Sequence, residues 1–206
     1  MQTSANEQLV AGIEKLEYEK FLSAYDGVRA EWVDGEVVMV PPASDLHQDL
    51  VDFLVAVLRI YIEMHDFGWV RSAPFQMRLA QISRGREPDI LYVRKERMPL
   101  LHPTYLDGPA DLVIEITSPE SLLRDRGEKF AEYELAGVQE YWLLDPERKR
   151  ADFYTLGADD RYRLTTLDEG VYRSSVLQGF WLKETWLWQS PLPRVLKVLR
   201  ELKIIS

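Results

Sequence analysis

The chain has 206 residues, no cysteine, 46% hydrophobic and 29% charged composition, and a formal net charge of −9. These values suit a single domain over 1–206 that buries its own core, and they exclude a disulfide framework, thiolate zinc or iron–sulfur ligation and a cysteine nucleophile. The N-terminus MQTSANEQLV lacks a basic region followed by an apolar run, and no stretch approaches 18 uninterrupted apolar residues, so a cytoplasmic protein without a membrane span is expected.

Apolar spacing predicts a first helix over 16–25, closed by Asp26 and Gly27. Between Ala30 and Val40, Asp34-Gly35 separates two β-rich runs, the signature of a two-residue hairpin turn that needs positive φ at both positions. Pairing Val33 with Glu36 then puts Glu31, Val33, Glu36 and Val38 on one face. Pro41-Pro42 breaks the strand, and Ser44 or Asp45 caps a helix running to about Met64. Its buried side is read as Leu46, Leu50, Phe53, Leu54, Val57, Leu58 and Tyr61, with His47 in the first turn.

Three strands are expected next, over 69–79, 89–93 and 111–117, the last two with continuous apolar runs suited to a sheet covered on both faces. A polar helix over 122–136 turns Phe130 and Tyr133 inward and stops at Gly137. A strand over 138–144 and a hairpin of 151–156 with 162–166 follow. The tail from Pro193 to Ile205 has helical spacing and packs either on the body or on a second copy. The order predicts a mixed α/β (α+β) sheet flanked by helices, with an N-terminal hairpin, a core over about 16–190 and a β/α extension ending in a helix within 191–206.

The charge is uneven. Overall acidity argues against a protein that coats nucleic acid by bulk electrostatics. Yet Arg71, Arg78, Arg84, Arg86, Arg94, Lys95 and Arg97 form a basic strip, readable as a solvated strand edge or as a contact for a phosphate backbone.

The chemistry concentrates on Asp89, which opens a strand after Pro88, and Glu115, inside Leu112-Val113-Ile114-Glu115-Ile116. An ionised side chain in such a run is costly unless something compensates it. A divalent cation shared by both carboxylates does so, and hard ions such as Mg²⁺ prefer oxygen ligands. Lys129, one turn after Asp125 in the following helix, is placed to bring an ammonium to the acids; an arginine, Arg86 or Arg124, is the other available partner for Glu115. Glu31 or Glu36 is a candidate third ligand. His47 is a candidate general base or phosphate contact, against a capping or packing role.

Pro88-Asp89, the Glu115 strand and a lysine resemble the PD-(D/E)XK nuclease superfamily with its restriction-endonuclease-like fold. The resemblance is closer to the Uma2 family of endonucleases, once catalogued as a domain of unknown function. Six stretches carry it: Glu31-Trp-Val-Asp-Gly-Glu36, Pro41-Pro-Ala-Ser-Asp-Leu-His47, Glu87-Pro-Asp-Ile90, Asp111 to Pro119, Asp125-Arg-Gly-Glu-Lys129 and Gly137 to Pro146. The superfamily's lysine two residues after the glutamate is Thr117 here, and the family resemblance implies that Lys129 takes its place. It implies an Mg²⁺- or Mn²⁺-dependent endonuclease acting on DNA, with Asp89, Glu115 and Glu31 as ligands and Lys129 and His47 in catalysis. A homodimer is the accompanying expectation, with the C-terminal helix, Trp181, Trp186 and Trp188 as its surface. A non-catalytic binding or regulatory module, or a small phosphoester hydrolase, are the alternatives on the same scaffold.

Overall fold

The computed structural model describes residues 15–206; the N-terminal segment read above for a leader lies outside the described residues. Helix α1 (Tyr18–Ala24) leads into the hairpin of β1 (Ala30–Val33) and β2 (Glu36–Met39). Asp34 and Gly35 take φ of 51° and 89°, the double positive φ that the Asp-Gly turn requires, and Val33 pairs with Glu36 as the spacing demanded. Helix α2 (Asp45–His65) starts at Ser44, whose side chain accepts a hydrogen bond from the His47 amide. Its buried face carries Leu50, Phe53, Leu54, Val57, Leu58, Tyr61 and Ile62. Leu46 is exposed, contrary to expectation, because the first turn overhangs a cleft rather than the core.

The expected strand over 69–79 is two strands in different sheets: β3 (Gly68–Ser72) and β4 (Gln76–Leu79). Pro74 lies between them with no N–H for a ladder, and the chain changes sheet there. After β5 (Arg84–Arg86) come β6 (Ile90–Arg94), β7 (Tyr105–Asp107) and β8 (Leu112–Ile116). Helix α3 (Leu122–Arg124), a π turn (Asp125–Lys129) and helix α4 (Phe130–Ala136) form one continuous helical segment, ended by Gly137 at φ 86°. It connects β8 to the parallel strand β9 (Glu140–Asp145).

The hairpin of β10 (Arg150–Leu156) and β11 (Tyr162–Leu164) extends the same sheet. Strands β12 (Val171–Arg173) and β13 (Trp181–Lys183) pair separately, and α5 (Val195–Glu201) closes the chain. The larger sheet is mixed, in the order β11-β10-β9-β8-β6-β3; the smaller runs β2-β1-β5-β4-β7.

One face of the larger sheet, with Ile90, Ile114 and Trp142, packs on Leu50, Leu54 and Leu58 of α2. Its other face, with Leu91, Val113 and Leu143, packs on Tyr133 of α4 and on Met77 and Leu106 of the smaller sheet. Covering on both sides accounts for the unbroken apolar run of β8, all five of whose residues are buried. Val198 and Leu202 of the α5 region and Trp186 join the α2 core, so most of the apolar tail offered as a dimer surface is consumed within the chain.

Candidate functional site

Ile90 of β6 pairs with Ile114 of β8 in antiparallel register, which sets Asp89 and Glu115 opposite one another one step further along. Alternation turns both towards the α4 side of the sheet, with Leu91 and Val113. Asp89 Oδ2 accepts the Ile116 amide at 2.8 Å, tying one acid to the strand that bears the other. Glu115 is 3% exposed. Its Oε1 accepts from Lys129 Nζ at 2.8 Å and from the Tyr133 hydroxyl at 2.7 Å.

The π turn brings Lys129 there. Asp125 and Lys129, at its two ends, are both buried against the sheet, while Gly127 and Glu128 between them face solvent. Tyr141 of β9 pins the turn from below by donating to the Asp125 carbonyl at 3.0 Å. Lys129 Nζ also lies 2.9 Å from Glu31 Oε1 and 3.7 Å from Asp125 Oδ1. The other Glu31 oxygen accepts from Arg86 at 2.9 Å, and Arg86 in turn grips Glu132 with two hydrogen bonds at 2.7 and 2.8 Å. Two cations and three carboxylates thus alternate from α4 to β8, most of them removed from water.

The shared cation acts unequally on its neighbours. Burial alone would raise the Glu31 carboxyl, but Lys129 and Arg86 overcome it and hold the group at about 2. Burial pushes the Glu115 carboxyl above its ordinary range, with Asp125, Asp89 and Glu31 adding to the rise against the pull of Lys129. Burial would lower Lys129, and the carboxylates around it reverse that sign, so its ammonium is retained.

Asp89, Glu115 and Lys129 line one wall of a cleft of about 420 Å³. His47, from the first turn of α2, reaches across with Nε2 at 3.0 Å from Asp89 Oδ1. Arg29, just before β1, lies 3.7 Å from the same oxygen and donates to Glu87 at 3.0 Å. The cleft also holds unmet bonding capacity: Arg124 Nε and Asp125 Oδ1 are buried there without a hydrogen-bond partner among the described residues.

The donor set suits a hard divalent cation of the kind bound by one or two carboxylates with water and phosphate completing the shell. Asp89 and Glu115 supply the carboxylates, and the second Glu115 oxygen receives no protein hydrogen bond among the described residues. A preassembled cage is a different matter: no group of three or more His, Asp or Glu residues that could hold a metal is found among the described residues.

Asp89, Glu115, Lys129 and His47 are therefore brought together. Glu31, the expected third ligand, is fully buried behind Lys129, with its oxygens engaged by Lys129 and Arg86. Glu36, on the outer strand of the hairpin, is exposed. Lys129, rather than an arginine, compensates Glu115.

Arg29 and Tyr133 carry contacts that sequence reasoning did not assign to them. Tyr133 had a legible signal, standing four residues after Lys129; Arg29 had none, since it lies outside any periodic element.

The basic strip does not form a free cationic surface. Arg78, Arg84, Arg86, Arg94, Lys95 and Arg97 are each spent on carboxylates of distant segments, namely Glu19 and Asp107, Asp34 and Glu132, Glu31, Asp111, and Asp66.

A family model described as "Putative restriction endonuclease" matches residues 16–185. The chain is similar in structure to a protein titled a putative nuclease belonging to DUF820, from Anabaena variabilis. That likeness has a TM-score of 0.69 and 18% identity over 82% of this chain and 96% of the other, and it concerns the fold. No curated protein matches the chain. No described helix is long and apolar enough to cross a membrane.

Proposed function

Since the chain belongs to the Uma2 family, we propose that it is a metal-dependent endonuclease hydrolysing phosphodiester bonds of DNA. The observation that carries this reading is the convergence of Asp89, Glu115 and Lys129 in one cleft from segments far apart in the chain, with Lys129 Nζ 2.8 Å from Glu115. Such a gathering of buried ionisable groups in a concave site supports a reading as a site of chemistry.

Asp89 and Glu115 would hold an Mg²⁺ or Mn²⁺ ion. When bound, the ion supplies Lewis-acid polarisation of the phosphate and lowers the pKa of water.

The remaining work belongs to the chain. Hydrolysis joins a water oxygen to phosphorus and breaks one phosphorus–oxygen ester bond; the leaving oxygen departs as a hydroxyl that carries one water proton, and the other goes to a base. His47 is the base closest to Asp89 and takes that proton. Lys129 carries three N–H groups, of which Glu115 and Glu31 occupy two, leaving one to meet charge that develops on the phosphate. Arg29 stands beside Asp89, where a guanidinium fits phosphate geometry.

The test is cleavage of supercoiled plasmid with Mg²⁺ or Mn²⁺. Nicking or linearisation by the wild type, abolished by EDTA, Asp89→Asn and Lys129→Met, is the expected result. Cutting that persists in both variants overturns the assignment.

A further inference from the structure

One residue of the basic strip stands apart: Arg71 has no carboxylate partner among the described residues. Its guanidinium lies over the Trp69 ring at 4.1 Å and donates to the Val70 carbonyl at 3.0 Å. Burial and the nearby charge of Arg59 on α2 both disfavour its cationic form, so two like charges face each other with no acid paired to either among the described residues. Trp69 is 45% exposed, so part of its indole is open to a ligand.

These residues sit on β3, the edge strand of the larger sheet, and separate two grooves. One, of about 280 Å³, is lined by Arg59, Glu63 and Gly68 beside Trp69 and Arg71. The other, of about 320 Å³, is lined by the same pair with Phe75, Met98, Leu101 and His102. His102 is itself stacked on Tyr105, with ring centres 4.4 Å apart.

The edge lies close to the cleft. Arg71 pairs with Leu91, two residues from Asp89 and on the order of 7 Å along the strand, and the Ala73 amide donates to the Asp89 carbonyl.

We propose that the Trp69–Arg71 edge is a binding groove for an unpaired nucleic-acid segment leading into the cleft. Arg71 and Arg59 meet its phosphates, while its bases lie against Trp69 and His102. Cations interleaved with aromatic faces are what a single strand uses, because every base offers a face to stack and every linkage a charge to neutralise. A duplex keeps its bases inside and gains little from the aromatic groove. The inference rests on the nuclease reading for its expectation of nucleic acid, and narrows it to substrates with single-stranded character.

The experiment is fluorescence anisotropy of a labelled thymidine oligonucleotide, single-stranded or annealed, with the full chain in EDTA. Trp69→Ala should weaken single-strand binding about tenfold, Trp69→Phe should retain most of it, and duplex binding should be unmoved. Arg71→Gln should lower the slope of log affinity against log salt by about 0.7. Unchanged single-strand affinity in Trp69→Ala and Arg71→Gln overturns the proposal. So does a change of oligomeric state in Trp69→Ala by light scattering, which would give this face to a second copy, or equal competition by polyglutamate, which would give it to acidic protein. Cleavage plays no part in the readout, so a wild type that binds as expected but never cuts with Mg²⁺ would refute the nuclease alone.

Discussion

The Lys129 ammonium lies 2.8 Å from Glu115 across a π turn and a strand end, both side chains buried in the wall of the cleft. Its charge is shared, since Glu31 stands 2.9 Å away on the other side. The pair is both the centre of the proposed chemistry and a buried electrostatic joint between the two sheets.

Lys129→Met should therefore fail twice. Plasmid cleavage should disappear, and urea unfolding should show a loss of about 3–5 kcal/mol because the buried carboxylates lose their common cation. A variant that keeps wild-type stability would show that the joint is not structural.

His47 separates activity from stability. Its side chain is partly exposed at the start of α2, and the Ser44 cap bonds its backbone rather than its ring. His47→Ala should lower the cleavage rate about 10²–10⁴-fold with the melting temperature nearly unchanged. A rate close to that of the wild type would remove it from the mechanism.

Glu31 makes stability depend on acid. Its folded carboxyl sits at about 2, below the ordinary 4.5, so its contribution is fully present above pH 4.5 and is lost as pH falls through about 2. The stability gap between wild type and Glu31→Gln, measured by urea unfolding across pH, should be widest near neutrality and close on acidification through that window. A gap that ignores pH would contradict the ion-paired state.

Metal binding has a readout that needs no substrate. Mg²⁺ at tenfold its dissociation constant should stabilise the protein by about 1.4 kcal/mol, seen as a rise in melting temperature. Asp89→Asn and Glu115→Gln should each erase that rise. Equal rises in both variants would place the ion elsewhere.

Gly127 faces solvent within the helical segment, and a Cβ there meets nothing within 4 Å. Gly127→Ala should stabilise the chain by about 0.5–1 kcal/mol through lower backbone entropy in the unfolded state, measured as a raised urea midpoint. Destabilisation would mean that the π turn needs glycine.

Much of this was legible because the signals are local. The Asp34-Gly35 hairpin, the Ser44 cap and the acid inside the β8 run each follow from a handful of neighbouring residues. Asp89, Glu115 and Lys129 could be nominated because charges in apolar company need partners, and the structure gathers them.

Other features depend on distant partners that spacing does not encode. The strip from Arg78 to Arg97 reads as basic until Asp34, Glu132, Asp111 and Asp66 arrive from elsewhere. Glu31 reads as a free hairpin carboxylate until Arg86 and Lys129 close over it. The sheet change at Pro74 was written in a single residue and overshadowed by apolar stretches on both sides.

The widened turn at Asp125–Lys129 sets the rotational phase between everything before it and everything after. The turn takes up one residue more than a regular helical turn, so drawing it to the regular pitch without shortening the chain would swing the upstream part by roughly 100° about the axis while Tyr133 stayed anchored in the core. Asp125 would then leave the cleft with the β-sheet scaffold intact, whereas deleting one residue from the turn would keep both flanks in phase.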